Sequence, residues 1–411
     1  MHNWRAINGL FLTTTILEGL AFGHVNAYSP LFLTELGLSP GEVSAWTGIL
    51  YALMAGVAFP LAPFWGVLAE RYSRRLVIVR SQYLEALAYL ILAFAPDIWW
   101  VLASRLLLGL TFGNISVIVA TQALVTPRKH LGTAIAVIQA AMPIAASIGP
   151  PAGAGLIDIV GLRGLFMIDA AMALIAGLLV TFLMKEPPKT ERKASMLART
   201  GQVMTMVWQR PVLRWNFLCL FLTVGSRAVV DVYLPVRITE LSSDPAPVIG
   251  NILGIAGVLT AIFTFASAKL IDDAGGIRWM APLMLLAAVL TLGMAVWPSI
   301  WVIAALTWMR ALPYAAANTL LVAHLTRVVR PADQTAILSL TPMPRNTAMF
   351  VLPIFAAVVA PLGVGIALSV GAVAYLASAV MGWLAEKASP AEMEAIRVEA
   401  TAEAQAEKPA T

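Results

Sequence analysis

Apolar residues run unbroken along this chain in twelve stretches, each matching the roughly 20 residues a helix needs to cross hydrocarbon. They cover 7–33, 43–65, 76–95, 98–123, 131–157, 162–184, 215–236, 248–270, 280–297, 300–325, 335–359 and 362–385. The runs are continuous, so the alternating pattern of membrane barrel strands is excluded. The first is too long for a secretion-signal core and lacks a small-residue cleavage site; it reads as a retained helix. Six runs precede one long polar connection, KEPPKTERKASMLARTGQVMTMVWQRPVLR (185–214), and six follow it. Late in that connection Val203, Met204, Val207 and Trp208 form the apolar side of an amphipathic helix suited to a membrane face. The pattern predicts an all-α membrane protein with a six-helix bundle over 1–184, a linker over 185–214, a second bundle over 215–388 and a tail over 389–411. The tail is charged and Ala-rich, a solvated or frayed helix with no chemistry assigned to it.

Composition agrees: 60% of the residues are hydrophobic and 12% charged, against about 45–50% and about 25% for a soluble domain. A 411-residue globule has too much surface to hide that excess. The single cysteine, Cys219, rules out an internal disulfide and supports no metal cluster, and no cofactor is expected. The net charge of +5 would suit nucleic acid, but its placement argues otherwise. With the N-terminus inside, Arg5, Arg71, Arg74, Arg75, Arg80, Arg128, Lys129, the basic stretch 185–214, Lys269, Arg278, Arg327, Arg330, Lys387, Arg397 and Lys408 all fall on the cytoplasmic side. Only Arg163 and Arg237 fall outside. This asymmetry places both termini, the linker and the tail in the cytoplasm of a multi-pass protein of the cell's inner (plasma) membrane. The basic charge is topological; the expected partners are the lipid bilayer, a small-molecule substrate and protons, and the protein is expected to be a monomer that binds no nucleic acid.

The two halves echo each other. YSPLFLTEL (28–36) returns as YLPVRITEL (233–241), PDIWW (96–100) as PSIWV (298–302), and GTAIAVI (132–138) as QTAILSL (334–340). A worn fourth match relates GVLAERYSRR (66–75) to AKLIDDAGGIR (268–278). Matches in this order, at offsets of 202 to 205, indicate a tandem six-helix repeat. Parallel repeats of this kind are a transporter architecture.

The loop between the second and third runs resembles the signature G-x-L-a-D-r-x-G-r-[KR] of the major facilitator superfamily. Gly66, Leu68, Ala69, Glu70, Arg71, Arg74 and Arg75 match it, while Glu70 replaces Asp and Ser73 replaces Gly. Charges at a helix end can pair with a neighbouring terminus and latch one conformation; a plain basic loop obeying the orientation rule is the other reading. Arg105-Leu-Leu-Leu-Gly109 looks like the family's R-x-x-q-G motif without its polar residue. AASIGPPAGA (145–154) is similar to its antiporter motif through Gly149, Pro150 and Gly153, with Ala145 and Ala154 in place of outer glycines. Close helix packing alone also accounts for that stretch. The resemblance covers essentially the whole chain. It implies the twelve-helix fold of two six-helix repeats, resembling the drug/proton antiporter branch, with helices 1, 4, 7 and 10 lining a central cavity and 2, 5, 8 and 11 beside it. It names no substrate.

Ionisable residues inside spans mark function. Four acids, Glu18, Glu85, Asp169 and Asp231, are proton-coupling candidates, and four arginines, Arg105, Arg227, Arg310 and Arg345, equal them in number, which suggests pairing. Arg227 and Asp231, four apart, share a helical face, as a static salt bridge or a coupling element. Glu18 has no basic residue at i±3 or i±4, so it and Asp231 lead as proton sites; Asp169 is expected near the outer end and hydrated, and Glu85 on the bundle flank that the family assigns to helix 3. Substrate-cavity candidates are His24, Asn26, Asn114, Gln139, Tyr314, Asn318 and Asn346, with His24 also readable as a packing residue. The function expected is a secondary transporter working by alternating access, exporting a small organic molecule against protons. The alternatives are proton-coupled uptake or sugar or metabolite efflux on the same fold, and, more remotely, a non-transporting sensor. No G-x-x-x-x-G-K-[ST] loop, H-E-x-x-H or nucleophile elbow occurs, so neither ATP nor an enzyme mechanism is expected.

Overall fold

A computed structural model of the protein describes residues 4–111, 114–186, 204–274 and 276–406. Helices run from Trp4–Glu35 (α1), Pro40–Arg71 (α2), Arg74–Ala93 (α3), Ile98–Thr111 (α4), Asn114–Val125 (α5), Leu131–Leu183 (α6) and Pro211–Leu241 (α7). They continue over Pro245–Ala274 (α8), Met280–Val296 (α9), Ile300–Arg327 (α10), Pro331–Leu340 (α11), Pro342–Val359 (α12) and Val364–Ala406 (α13). No strand occurs among the described residues. Five helices start on proline, where the missing N–H is one no helix could satisfy and the fixed φ is already helical. Helix α4 and helix α5 share the fourth apolar run, and α11 and α12 the eleventh. The helical tail continues α13 to Ala406. Most of the linker, residues 187–203, lies outside the described residues, while residues 204–209 are helical.

Eleven of the described stretches are long and apolar enough to cross a membrane. The twelfth is hidden in α6, which joins the fifth and sixth runs into 53 residues. Straight, it would be about 80 Å long, more than twice the hydrocarbon thickness. It breaks at Gly161, whose φ of 71° and ψ of 176° suit a residue without a Cβ. Both arms then pack on α1: Gly153 from the first and Asp169 from the second each lie against His24. A single side chain reaches both only because the chain turns back.

The first six spans and the last six meet through small residues. A Cβ on Gly48 would fall 2.9 Å from that of Ala357, and one on Gly254 would fall 2.8 Å from Pro151 Cγ. Gly250 and Gly257 bring α8 equally close to Pro150 and Ser147 of α6. These contacts lie from mid-bundle toward the end that carries residues 28–36 and 233–241. Further along the same two helices, Ile144, Val258, Ile262 and Phe265 are exposed. The outward faces carry large apolar side chains such as Phe182 and Trp301, the cover a lipid-facing surface needs.

The loop singled out as a latch has a defined anchor. Ser73, in the place of the motif's glycine, caps α3 by accepting from the Leu76 N–H at 3.0 Å. The carboxylate of Glu186, beyond the end of α6, accepts from the Ser73 hydroxyl (2.6 Å) and from the N–H groups of Arg74 (2.8 Å) and Arg75 (3.2 Å). Arg75 donates in turn to the Thr181 carbonyl. Arg74 is buried, and Arg71 is exposed over the Tyr72 ring. Gly66 and Glu70 belong to α2, but their surroundings lie outside the described residues. An anion at a helix N-terminus satisfies donors the helix cannot. Glu186→Ala should therefore cost about 0.5–2 kcal/mol and speed hydrogen exchange at the Arg74 and Arg75 amides; unchanged exchange there would show that the cap is not formed.

Candidate functional site

Helix α3 is apolar on its outward face, where Leu87 and Leu90 are exposed. Its inward face carries Gln82, Glu85 and Tyr89 at i, i+3 and i+7, one stripe of a helix. Glu85 and Tyr89 of this stripe meet Thr15 and Glu18 of α1, Arg105 and Thr111 of α4 and Asn114 of α5. Together with Phe22, Val25, Met54, Leu108, Ile115 and Met142 they enclose a recess of about 170 Å³ within the first six spans. The space holds about five waters at ~30 Å³ each.

Its walls are polar where partners are lacking. Glu18 accepts a long bond from Gln82 Nε2, 3.4 Å, and lines the recess beside Glu85 and Asn114. Glu85 Oε2, Thr15 Oγ1, Arg105 Nε and both amide atoms of Asn114 are buried with no hydrogen-bond partner. Buried polar groups are normally satisfied, with a few exceptions per hundred residues; here five orphan atoms surround one recess. Arg105 is held to α1 through the Val25 carbonyl (3.1 Å) and the Ser29 hydroxyl.

Arg105 also lines a second, water-sized space of about 10 Å³ with Asn26, Ser29, Thr47, Tyr51, Val232 and Asp231 of α7. One guanidinium thus borders both the Glu18–Glu85 recess and the acid contributed by the other half. Asp231 accepts from Arg227 Nε at 2.8 and 3.1 Å, and Arg227 lies over the Tyr314 ring, 4.4 Å from its centroid.

The expectation that four acids would pair with four arginines does not hold. Of these eight residues, only Asp231 and Arg227 pair with each other. Arg310 donates to the Tyr375 hydroxyl and Arg345 to Asn318 Oδ1, each at 3.2 Å. The reason is topological: three of the acids sit in the first six spans and three of the arginines in the last six. Asp169 is not hydrated either. It is fully buried and accepts from His24 Nδ1 at 2.7 Å, while Gly153 faces the same imidazole so closely that a Cβ there would sit 2.7 Å from it. Nor does Glu85 sit on a flank; α3 turns it inward into the recess.

Gly149 and Gly153 let α6 lie against α1, and Pro150 and Pro151 meet Gly250 and Gly254 of α8. Tyr28 donates to the Pro150 carbonyl and lies 3.4 Å from the Ala246 carbonyl across the junction. Gln139 is exposed, Asn346 is half-buried, and neither lines the recess. Thr15, Gln82, Tyr51, Tyr89, Thr111 and Glu186 were not singled out in the sequence. The i, i+3, i+7 spacing of Gln82, Glu85 and Tyr89 on an apolar helix was the signal available.

Residues 11–341 match the Major Facilitator Superfamily. The chain is 29% identical over 314 residues to the multidrug resistance protein MdtG of Salmonella arizonae, covering 75% of this chain and 77% of that one. It is 31% identical over 258 residues to MdtG of Proteus mirabilis (62% and 61%). It is 28% identical over 264 residues to the multi-drug resistance efflux pump PmrA homolog of Lactococcus lactis, spanning 63% of that protein's length. The fold is similar to an inward-facing, unoccupied bacterial homolog of the lysosomal transporter Spinster: TM-score 0.72, 15% identity, 95% of this chain and 99% of that one. It is also similar to the nucleoside transporter NupG: TM-score 0.73, 14% identity, 94% and 99%. The apolar helices, the repeated halves and a match over most of the sequence converge: the chain belongs to the Major Facilitator Superfamily of membrane transporters.

Proposed function

We propose that the protein exports a small organic molecule across the inner membrane by alternating access, in exchange for protons, with both termini in the cytoplasm and as a monomer. The observation that carries this reading is the pairing of Glu18 and Glu85 in one recess where, among the described residues, Arg105 is the only cation. Ionised carboxylates buried without a matching cation are costly inside a membrane. Such a pair takes up a proton when the recess faces one solution and releases it, or exchanges it for substrate, when it faces the other. The multidrug efflux names of the relatives support export. The contacts between halves near residues 28–36 and 233–241, with exposed α6 and α8 residues beyond them, suit a state closed to the outside.

Inside-out vesicles with an acidic lumen test the reading. A fluorescent lipophilic substrate should accumulate in them, and a protonophore should abolish the accumulation. Accumulation requiring an alkaline lumen would instead support proton-coupled uptake; no flux under either gradient would support the sensor.

A further inference from the structure

We propose that the recess binds a protonated primary amine through its N–H donors, and rejects a quaternary ammonium ion of the same charge. The inference rests on the transporter reading and names the substrate class. Three acceptor atoms lining the recess are buried and unpaired: Glu85 Oε2, Asn114 Oδ1 and Thr15 Oγ1. The carboxylate of Glu18 adds further acceptor capacity beside its long contact to Gln82. An –NH3+ group offers three donors, enough to engage most of this set at once. Charge points the same way, because two carboxyls face one guanidinium and that guanidinium is already tied to α1. A ligand cation brings the recess to balance.

An inorganic cation fits less well, because it leaves the apolar wall of the recess, Phe22, Met54 and Leu108 among it, without contact. Size limits what enters: about 170 Å³ admits an ammonium group and a short stem of about five non-hydrogen atoms, by comparison with ~30 Å³ per water. The stem would lie against Phe22, Val25, Met54, Leu108, Ile115 and Met142. A trimethylammonium head carries the charge but no N–H, and leaves every acceptor unpaired. A site built to hydrogen-bond an N–H discriminates strongly against the analogue lacking it; about tenfold is expected for each acceptor left bare.

The test uses the purified full-length protein in a neutral maltoside detergent, titrated calorimetrically with pentylammonium, with ethyltrimethylammonium, which has the same number of non-hydrogen atoms, and with sodium chloride. Pentylammonium should bind at least about tenfold tighter than the quaternary ion, and sodium should not displace it. Asn114→Leu, close in size, should remove about tenfold of the pentylammonium affinity and leave the weak quaternary binding unchanged; Thr15→Val provides a second variant should Asn114→Leu not fold. Equal binding of the two cations, displacement by sodium, or insensitivity to both variants would overturn the proposal. If pentylammonium fails to bind while vesicles still export a substrate without N–H donors, this proposal falls and the export reading stands. If it binds as stated and no gradient drives flux, the export reading falls instead.

Discussion

In Glu85→Gln, accumulation driven by a proton gradient should fall to the level of protein-free vesicles, while gradient-independent exchange of substrate across the membrane remains. The substitution keeps the shape of the side chain and one acceptor oxygen, and removes its ability to ionise. Glu85 is 3% exposed and shares its recess with Glu18, so it has no bulk water and no arginine of its own to hold its charge. Glu18→Gln should behave alike, because the two carboxyls face one recess and act as one titrating unit. Gradient-driven and gradient-free flux measured on the same vesicles separate loss of coupling from loss of folding. Wild-type accumulation in both variants would move the proton elsewhere, and Asp231 is then the next acid to neutralise, since it faces Arg105 from the opposite half.

The second large effect concerns stability. Asp169→Ala should lower the unfolding free energy by about 3 kcal/mol, as expected when one partner of a buried hydrogen-bonded pair is removed and the other is left unsatisfied. His24 and Asp169 are 2% and 0% exposed and 2.7 Å apart. They join α1 to the returning arm of α6, and truncation strands an imidazole among apolar neighbours. Replacing both residues with leucine should recover much of the loss, because apolar substitution of a whole buried pair is often neutral. Thermal melting of the purified protein reads both outcomes. A single variant that melts with the wild type would show that the pair contributes nothing to the fold.

Much of the architecture was legible in the letters. Continuous apolar runs forecast helices because each backbone group in hydrocarbon needs a partner within its own segment, and each run is helical along most of its length. The site was legible only in part. Glu18, Asn114 and Arg105 stood out as polar letters in apolar spans, and the structure brings all three to one recess. The flank expected for Glu85 follows from the family resemblance, which outweighs the faint stripe that Gln82, Glu85 and Tyr89 make on an otherwise apolar helix. Asp169 was given to water because its partner, His24, lies 145 positions away. Glu186 went unnoticed because a charged residue just past a span end looks like any other orientation signal, until its oxygens are seen on the first amides of α3.

What the sequence determined by itself is local or statistical: where the chain can lie in lipid, how its basic residues are distributed and that its halves repeat. These follow from hydropathy, charge count and self-similarity, none of which needs a partner in space. The tertiary structure decided which polar groups share a cavity, which acid has a histidine and which has none, and where α6 turns back at Gly161. Those outcomes depend on the rotation of each helix about its axis and on contacts between residues far apart in the chain. Hydrophobic burial leaves both weakly specified in a membrane, where the lipid is as apolar as the core.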